Sequence, residues 1–393
     1  IAFNLTKLSV NPFNFGKLRG EGEGRVNVLL LGVGDSGHAG ETLSDSNMVV
    51  SINTQTKQVA MISIPRDLRV RIPGYGYAKI NNAHARGGIE TAEEVVEDTL
   101  DIPIHYYARA NFSGLREAVD AVGGVEIEVH ESLYDPSYPC DTNPNRQCGF
   151  KISKGKQKMD GITALKYARC RKGNCGDDFG RAMRQQEILK AVRGKALSLG
   201  TILNPGKLNK LSNALGDNIT TNLSINNIMR LANMFQNAQD DTINVVFSNS
   251  PGGFLTTSRG SDLIPLGGDF DDIQAFVKDI FKVGPIWEEN PSIVIENGTT
   301  SVGIAGILKA AIEEEGYRIT IARVSNALKR DYKISKIIDY TGGKKPKTAA
   351  FLHNAVGIAP EQPAEPTKYP PADFQIILGA DYAAKTSTSA GQD

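Results

Sequence analysis

A layered α/β/α domain with a central mixed sheet, followed by a smaller α/β domain, is the fold class the sequence predicts. Three observations carry it. Val26 to Val33 is a short, almost wholly apolar run with the character of a strand buried on both faces, strand-like and helix-like segments alternate after it, and Pro285 and Pro291 separate that series from a second, shorter one. The 393 residues exceed one ordinary domain and suffice for two.

Residues 1–24 mix Asn, Gly and isolated apolar side chains without period and read as an arm or membrane-proximal linker. The first domain is assigned to 25–284. Its opening strand is followed by two more, Asn47 to Asn53 and Gln58 to Ile64, joined by a polar link short enough for a hairpin. Thr91 to Leu100 has helical spacing, Ile104 to Ala108 reads as a strand, and Phe112 to Val122 reads as a helix stopped by Gly123-Gly124 before the strand Val125 to Val129. Gly180 to Leu199 and Ser224 to Ala238 are amphipathic, and Ile243 to Phe247 is strand-like. The hairpin supplies antiparallel neighbours and the later crossovers suit parallel ones, hence a mixed sheet.

A linker at 285–291 leads to the second domain, 292–384. It reads as strand Ser292 to Ile295, helix Val302 to Glu315, strands Arg318 to Ala322 and Lys336 to Tyr340, helix Lys347 to Val356 and strand Phe374 to Leu378, with Pro360 to Pro371 as an exposed loop and 385–393 as a disordered tail.

Lys plus Arg and Asp plus Glu both total 44, so no net charge marks the chain for nucleic acid or an anionic membrane, and any polyanion site must be local. No apolar run approaches the ~18 residues of a membrane span. Ile1 is not an initiator Met, so the sequence is expected to begin inside a longer gene product, which leaves room for a membrane anchor ahead of it. The cysteines form two local pairs, Cys140 with Cys148 and Cys170 with Cys175, in loop-rich sequence. Two disulfides, and with them an extracytoplasmic location, are the favoured reading; a four-thiolate zinc site is the rival, without the short C-x2-C knuckle.

Charge is concentrated in one place. From Lys151 to Gly200 there are 13 Lys or Arg against 4 Asp or Glu. Arg169, Arg171, Arg181 and Arg184 dominate its centre, and arginine is suited to bidentate clamping of phosphate. Arg181 and Arg184 stand at i and i+3, with Gly180 before them at the helix start. Few aromatic side chains interleave, which argues against nucleic acid. Arg66-Asp67 follows directly on a strand, where ligands of open α/β sheets collect, and Asp45 lies in the loop feeding another strand. On spacing alone, Asp45 equally fits a turn and Arg66-Asp67 a surface ion pair. A carboxylate beside an arginine cluster makes chemical sense where a divalent ion bridges it to a pyrophosphate.

Five ordered blocks resemble the catalytic domain of the LytR-CpsA-Psr family over roughly Arg25 to Val283: VNVLLLGV (26–33), LSDSNMVVSIN (43–53), VAMISIPRDLRVRIPGYGYAKINNAHARGG (59–88), FSGLREAVDAVGGVEIEV (112–129) and LKYARCRKGNCGDDFGRAMRQQ (165–186). The second domain resembles the LytR C-terminal domain through IVIENGTTSVGIAGILKAAIEEEGYRITIA and FQIILGADY. The resemblance implies a membrane-anchored, wall-facing enzyme that uses Mg2+ (or Mn2+) to transfer a phosphoglycan from a polyprenyl pyrophosphate carrier to a peptidoglycan hydroxyl, with the polyprenyl chain in an apolar tunnel and hydrolysis as a side activity. Carried over by position, it implies Asp45 on the metal, Arg66 as a catalytic group and, with Arg169, Arg171, Arg181 and Arg184, on the pyrophosphate; Lys79 and Gln185, within the matching blocks, are added to the pyrophosphate set, Asp67 is the candidate catalytic base, and Asp35 is the candidate second metal ligand. One departure bears on that set: Gly34 stands where the family usually has Asp, and Asp35 is one place later. This motivates the alternative of a non-catalytic protein that binds polyprenyl phosphate or wall polymer.

Overall fold

The computed structural model describes residues 16–37, 40–140, 143–198, 206, 215–236, 242–250, 252–258, 260–365 and 367–389. The chain divides into two compact units, Ile1–Lys278 and Asp279–Asp393. Most of the expected arm at 1–24 lies outside the described residues.

In the first unit the strands are β1 (Arg25–Gly32), β2 (Ser46–Asn53), β3 (Val59–Ile64), a hairpin of β4 (Arg69–Ile72) and β5 (Gly76–Lys79), β6 (Tyr106–Ala110), β7 (Val125–Val129), β8 (Leu133–Asp135), β9 (Pro139–Cys140), β10 (Asn143–Gln147), β11 (Phe150–Ile152), β12 (Gly155–Met159), β13 (Ile219–Thr221), β14 (Ile243–Val246) and a second hairpin of β15 (Leu255–Thr257) and β16 (Leu263–Pro265). The central sheet runs β13-β6-β1-β2-β3-β14. β1 is parallel to β6 and β3 to β14, while β1–β2, β2–β3 and β6–β13 are antiparallel, so the sheet is mixed. β1 lies inside the sheet, as its apolar run requires, and all six residues of β3 are buried.

The helices α1 (Asn82–Leu100), α2 (Phe112–Ala121), α3 (Gly161–Arg169) and α4 (Asp178–Ser198) carry the side chains that matter for the site. α1 begins nine residues ahead of the predicted Thr91 because Gly87 and Gly88 leave helical geometry, Gly88 at φ 74°, and break the period into two pieces. α2 starts sharply: Asn111 accepts the Gly114 N–H and Asp35 accepts the Ser113 N–H, so two orphan donors of its first turn are satisfied. α3 is capped the same way by Asp160 on Thr163, and that hydrogen bond holds the Asp160 carboxyl below its ordinary value.

The packing forms layers. Leu231 and Met234 of the helix Ile225–Gln236 join Val26, Val28, Ile52, Val59 and Tyr106 in one core, whereas Val119, Ala164, Tyr167, Ala168 and Ile188 of α2–α4 join residues of β7, β8, β11 and β12 in another. The cysteines pair as Cys140–Cys148 and Cys170–Cys175, the local connectivity. Removing the second bridge by Cys170→Ser with Cys175→Ser is expected to lower stability by about 2 kcal/mol, the loop-closure entropy of so short a ring, and a thermal melt beside the parent protein checks this.

The second unit has a sheet ordered Thr320–Asn326, Ser292–Asn297, Phe374–Leu378, Lys336–Asp339, with the last strand antiparallel to its neighbour. Ile293, Ile295, Leu308, Ile312, Leu352, Phe374 and Ile376 form its core. Two sequence assignments need correcting. The linker expected at 285–291 is helix as far as Glu289: Ile280–Glu289 contains Pro285, and burial of Ile280, Val283 and Ile286 outweighs the one backbone bond the proline forfeits. The tail expected from residue 385 is helical within Ala380–Ser389.

Candidate active site

Two loops of the central sheet and the end of the β4–β5 hairpin meet one helix. β3 ends at Ile64, and two residues on Arg66 projects its guanidinium into a group of carboxylates. Arg66 Nη1 donates to Asp45 Oδ1 at 3.0 Å, Nε donates to Asp178 Oδ2 at 2.9 Å, and Asp67 Oδ2 lies 3.6 Å from Nε. Burial works against the Arg66 charge, but Asp178, Asp45 and Asp67 outweigh it and hold the guanidinium above its ordinary value.

Asp178 opens α4, where an acid suits the helix N-terminus. Three residues on, Arg181 reaches back to Asp178 Oδ1 at 3.3 Å and donates to the Asp45 carbonyl at 3.2 Å. Burial pulls the Arg181 pKa down. One turn further, Gln185 Oε1 accepts the Ser46 hydroxyl at 2.8 Å, and Gln186 donates into the sheet at Ser63 Oγ and the carbonyls of Met61 and Val245. Lys79, at the end of β5, donates to Asp67 Oδ1 at 2.6 Å and Ser261 Oγ at 2.8 Å. Asn81 holds the same neighbourhood together, since its carbonyl accepts the Ser44 N–H and its own N–H meets the Arg66 carbonyl.

Of these groups, Asp45, Arg66, Asp67, Lys79, Asn81, Arg181 and Gln185 rim a cavity of about 990 Å3, and Asp178 stands behind them. Its apolar walls are Leu30, Met48 and Ala108 from the sheet, Leu115 and Ala118 from α2, Leu165 from α3, and Ile188 and Leu189 from α4. Asp45, Arg66, Asp67, Lys79, Arg169, Arg171, Lys172, Arg181 and Gln185 also line it. Arg169 stacks on the Phe112 ring, 3.9 Å from its centroid, and so stands between apolar wall and charged rim. Arg171 and Lys172 are aimed by Asp135, whose Oδ2 accepts both backbone N–H groups.

Two residues of the predicted set are placed elsewhere. Arg184 does not line the cavity: its guanidinium is buried and donates to the carbonyls of Tyr167 and Cys175 at 2.9 and 2.8 Å and to that of Cys170. The i, i+3 spacing puts it beside Arg181 along the helix but turns it toward the chain that closes α3. Asp35 has both carboxylate oxygens on Ser113, as a cap of α2. The sequence assigns Asp178 no functional role; an acid at a helix N-terminus three residues before Arg181 is the available signal. Among the described residues, the one trio of metal-type ligands close enough to share an ion is Asp135 with Cys170 and Cys175, and both sulfurs are spent in the disulfide.

Residues 5–257, well over half of the chain, match the model described as the LytR_cpsA_psr family. The chain belongs to the LytR-CpsA-Psr family. Residues 290–382 match a second model, described as LytR cell envelope-related transcriptional attenuator. Among curated relatives, the polyisoprenyl-teichoic acid–peptidoglycan teichoic acid transferase TagU of Enterococcus faecalis is 35% identical over 214 residues, 54% of this chain and 66% of the relative. The transferase TagT of Bacillus subtilis is likewise 35% identical over 214 residues, 53% of this chain and 64% of the relative. The chain thus spans just under two thirds of the length of these two relatives. A solved structure of TagT bound to LIIa-WTA aligns with a TM-score of 0.51 at 26% identity, covering 71% of this chain and 98% of that one. In this LytR-CpsA-Psr protein, each of the five blocks that carry the family resemblance lines the cavity, and three of them supply Arg66 and the carboxylates on it.

Proposed function

We propose that this chain transfers a phosphoglycan from a polyprenyl pyrophosphate to a hydroxyl of a peptidoglycan sugar, releasing polyprenyl monophosphate, on the outer side of a membrane to which an N-terminal segment anchors it. The single observation that carries this reading is the geometry of the cavity: an apolar interior between sheet and helices, rimmed by guanidinium groups and carboxylates. An isoprenoid tail has the apolar interior to occupy, and a pyrophosphate attached to it then lies at the arginines. The names of the curated relatives point the same way. A purely lipid-holding protein has no use for Asp45, Asp67 and Asp178 gathered on one arginine, so the binding-only alternative is less well supported.

In this reading Arg169, Arg171 and Arg181 grip the pyrophosphate, with Lys79 and Gln185 fixing the rim, and Arg66 meets the charge that develops on the phosphoryl oxygens. Phosphoryl transfer needs chiefly positioning and neutralisation, so these residues supply most of what the reaction demands. Asp67, held between Lys79 and Arg66, is the carboxylate set to take the proton from the attacking hydroxyl.

The residues fit a divalent ion at Asp45. Only its Oδ1 is engaged by Arg66 among the described side chains, which leaves Oδ2 for a cation completed by waters and substrate oxygens. Mg2+ there would offset negative charge on the pyrophosphate. Asp35 belongs to that set only if it leaves Ser113.

The test is transfer from a polyprenyl pyrophosphate-linked sugar to a peptidoglycan oligomer with Mg2+, Mn2+ or EDTA. Metal-dependent transfer is expected, with EDTA lowering the rate by about 10²-fold or more. Tight lipid binding with no phosphate released under any condition would instead identify a carrier-binding protein.

A further inference from the structure

The β4–β5 hairpin projects from the Arg66 loop and returns to the cavity at Lys79, and its two faces differ. Val70 and Ile72 are buried on one face, at 2% and 0% exposure, whereas Arg69 and Arg71 are exposed on the other. The pairing places Arg69 opposite Lys79 and Arg71 opposite Tyr77, so these four side chains share the outer face. They form a stripe: Lys79 and Arg69 lie next to Asp67 and Asp262, and Arg71 and Tyr77 stand one rung farther out, about 7 Å along the strands.

The aromatic groups are presented rather than packed. Tyr77 is 69% exposed and Tyr75 51%. Tyr75 is held in place all the same: its N–H donates to the Ile72 carbonyl, its hydroxyl to the Arg86 carbonyl at 2.7 Å, and the Arg86 guanidinium lies 5.5 Å from its ring. Gly74 and Gly76, at φ 74° and 76°, make the turn that fixes it. Arg69 lies 5.9 Å from the Tyr77 ring. Arg71 has no ion-pair partner among the described residues. Exposed tyrosines interleaved with arginines on a rigid hairpin form a surface that costs little ordering entropy to bind.

We propose that this outer face is the acceptor subsite: a peptidoglycan glycan strand lies along the hairpin, a sugar ring on Tyr77 and a carboxylate on Arg71. The inference rests on the transfer reading above and adds where the acceptor binds. Position selects acceptor over donor. Arg169, Arg171 and Arg181, which grip the pyrophosphate in that reading, line the cavity from α3, α4 and the segment between them, while the hairpin adjoins Arg66 from the other segment, through Asp67, the carboxylate set to receive the hydroxyl proton, with Lys79 of the hairpin bonded to it at the rim. An in-line displacement requires the attacking and leaving oxygens to approach the phosphorus from different directions, and these two groups of residues belong to separate elements. Charge also agrees, since Arg71, with no ion-pair partner among the described residues, suits a strand bearing carboxylates.

The experiment uses the full chain, a polyprenyl pyrophosphate-linked sugar and a soluble peptidoglycan oligomer, comparing wild type with Tyr77→Ala, Arg71→Ala and Tyr77→Phe, each matched by thermal melting. Both alanine variants are expected to raise the KM for the oligomer about tenfold and to hold the donor KM within about twofold, while Tyr77→Phe stays near wild type. Calorimetric titration of the oligomer without donor should show the same loss. An unchanged acceptor KM in both alanine variants would overturn the subsite and leave the transfer reading standing, and a raised donor KM would assign the stripe to the donor glycan instead. If wild type binds the oligomer, Tyr77→Ala does not, and no condition gives transfer, the subsite stands and the transfer reading falls. A wild-type chain that neither binds nor transfers would sink both.

Discussion

Replacing Arg66 by alanine is expected to lower glycan transfer by about 10²–10³-fold, the usual cost of removing one preorganised donor from a transition state. The substitution leaves Asp45, Asp67 and Asp178 without their shared cation. All three keep some exposure, so stability should change by no more than about 1 kcal/mol. Arg66→Lys separates charge from shape: an ammonium keeps the positive charge but cannot present Nε to Asp178 and Nη1 to Asp45 together. Lysine should therefore recover only a small part of the rate. Single-turnover transfer beside a thermal melt checks both, and retention of more than a tenth of the wild-type rate by the alanine variant would reduce Arg66 to a surface tie.

Arg184→Ala should show the opposite profile, a large loss of stability. The guanidinium is buried and serves the carbonyls of Tyr167, Cys170 and Cys175, beside which no other side-chain donor stands among the described residues. Their desolvation cost is then unmet, and a loss of about 3–5 kcal/mol follows. For a unit of this size that lowers the melting midpoint by roughly 10 °C. Transfer measured well below the melt should fall less than in Arg66→Ala. A variant that melts normally but cannot hold pyrophosphate would return Arg184 to the clamp that the sequence suggests.

The contrast between these arginines shows what was legible in the sequence. β1, the β2–β3 hairpin, α2, α4 and the strands of the second unit announce themselves by periodicity and by glycine stops, because each is a local pattern. Arg66, Asp45 and the arginine-rich segment are legible as chemistry, because their residue types are unusual together. The direction of a side chain is not local. Arg181 and Arg184 are three apart on one helix and equivalent by spacing, yet one faces the cavity and the other the carbonyls ending α3, a choice made by the chain packed against each. The same holds for Asp35, whose partner Ser113 is 78 residues away. Pro285 misled for a related reason: proline weighs against a helix locally, and buried Ile280, Val283 and Ile286 decide the matter from outside.

Helix α4 carries Asp178, Arg181 and Gln185 toward the rim, Arg184 toward the chain after α3 and Gln186 into the sheet, all within nine residues. Spacing there is set by helical pitch and by no loop that could stretch. Inserting one residue between Phe179 and Gln185 would swing every later contact by about 100° around the axis and break them as a group. Substitution and length change are therefore not comparable injuries in this segment. An outward position such as Met183, 58% exposed, is free to drift, whereas the count of residues between Asp178 and Gln186 is as constrained as the identity of any one of them.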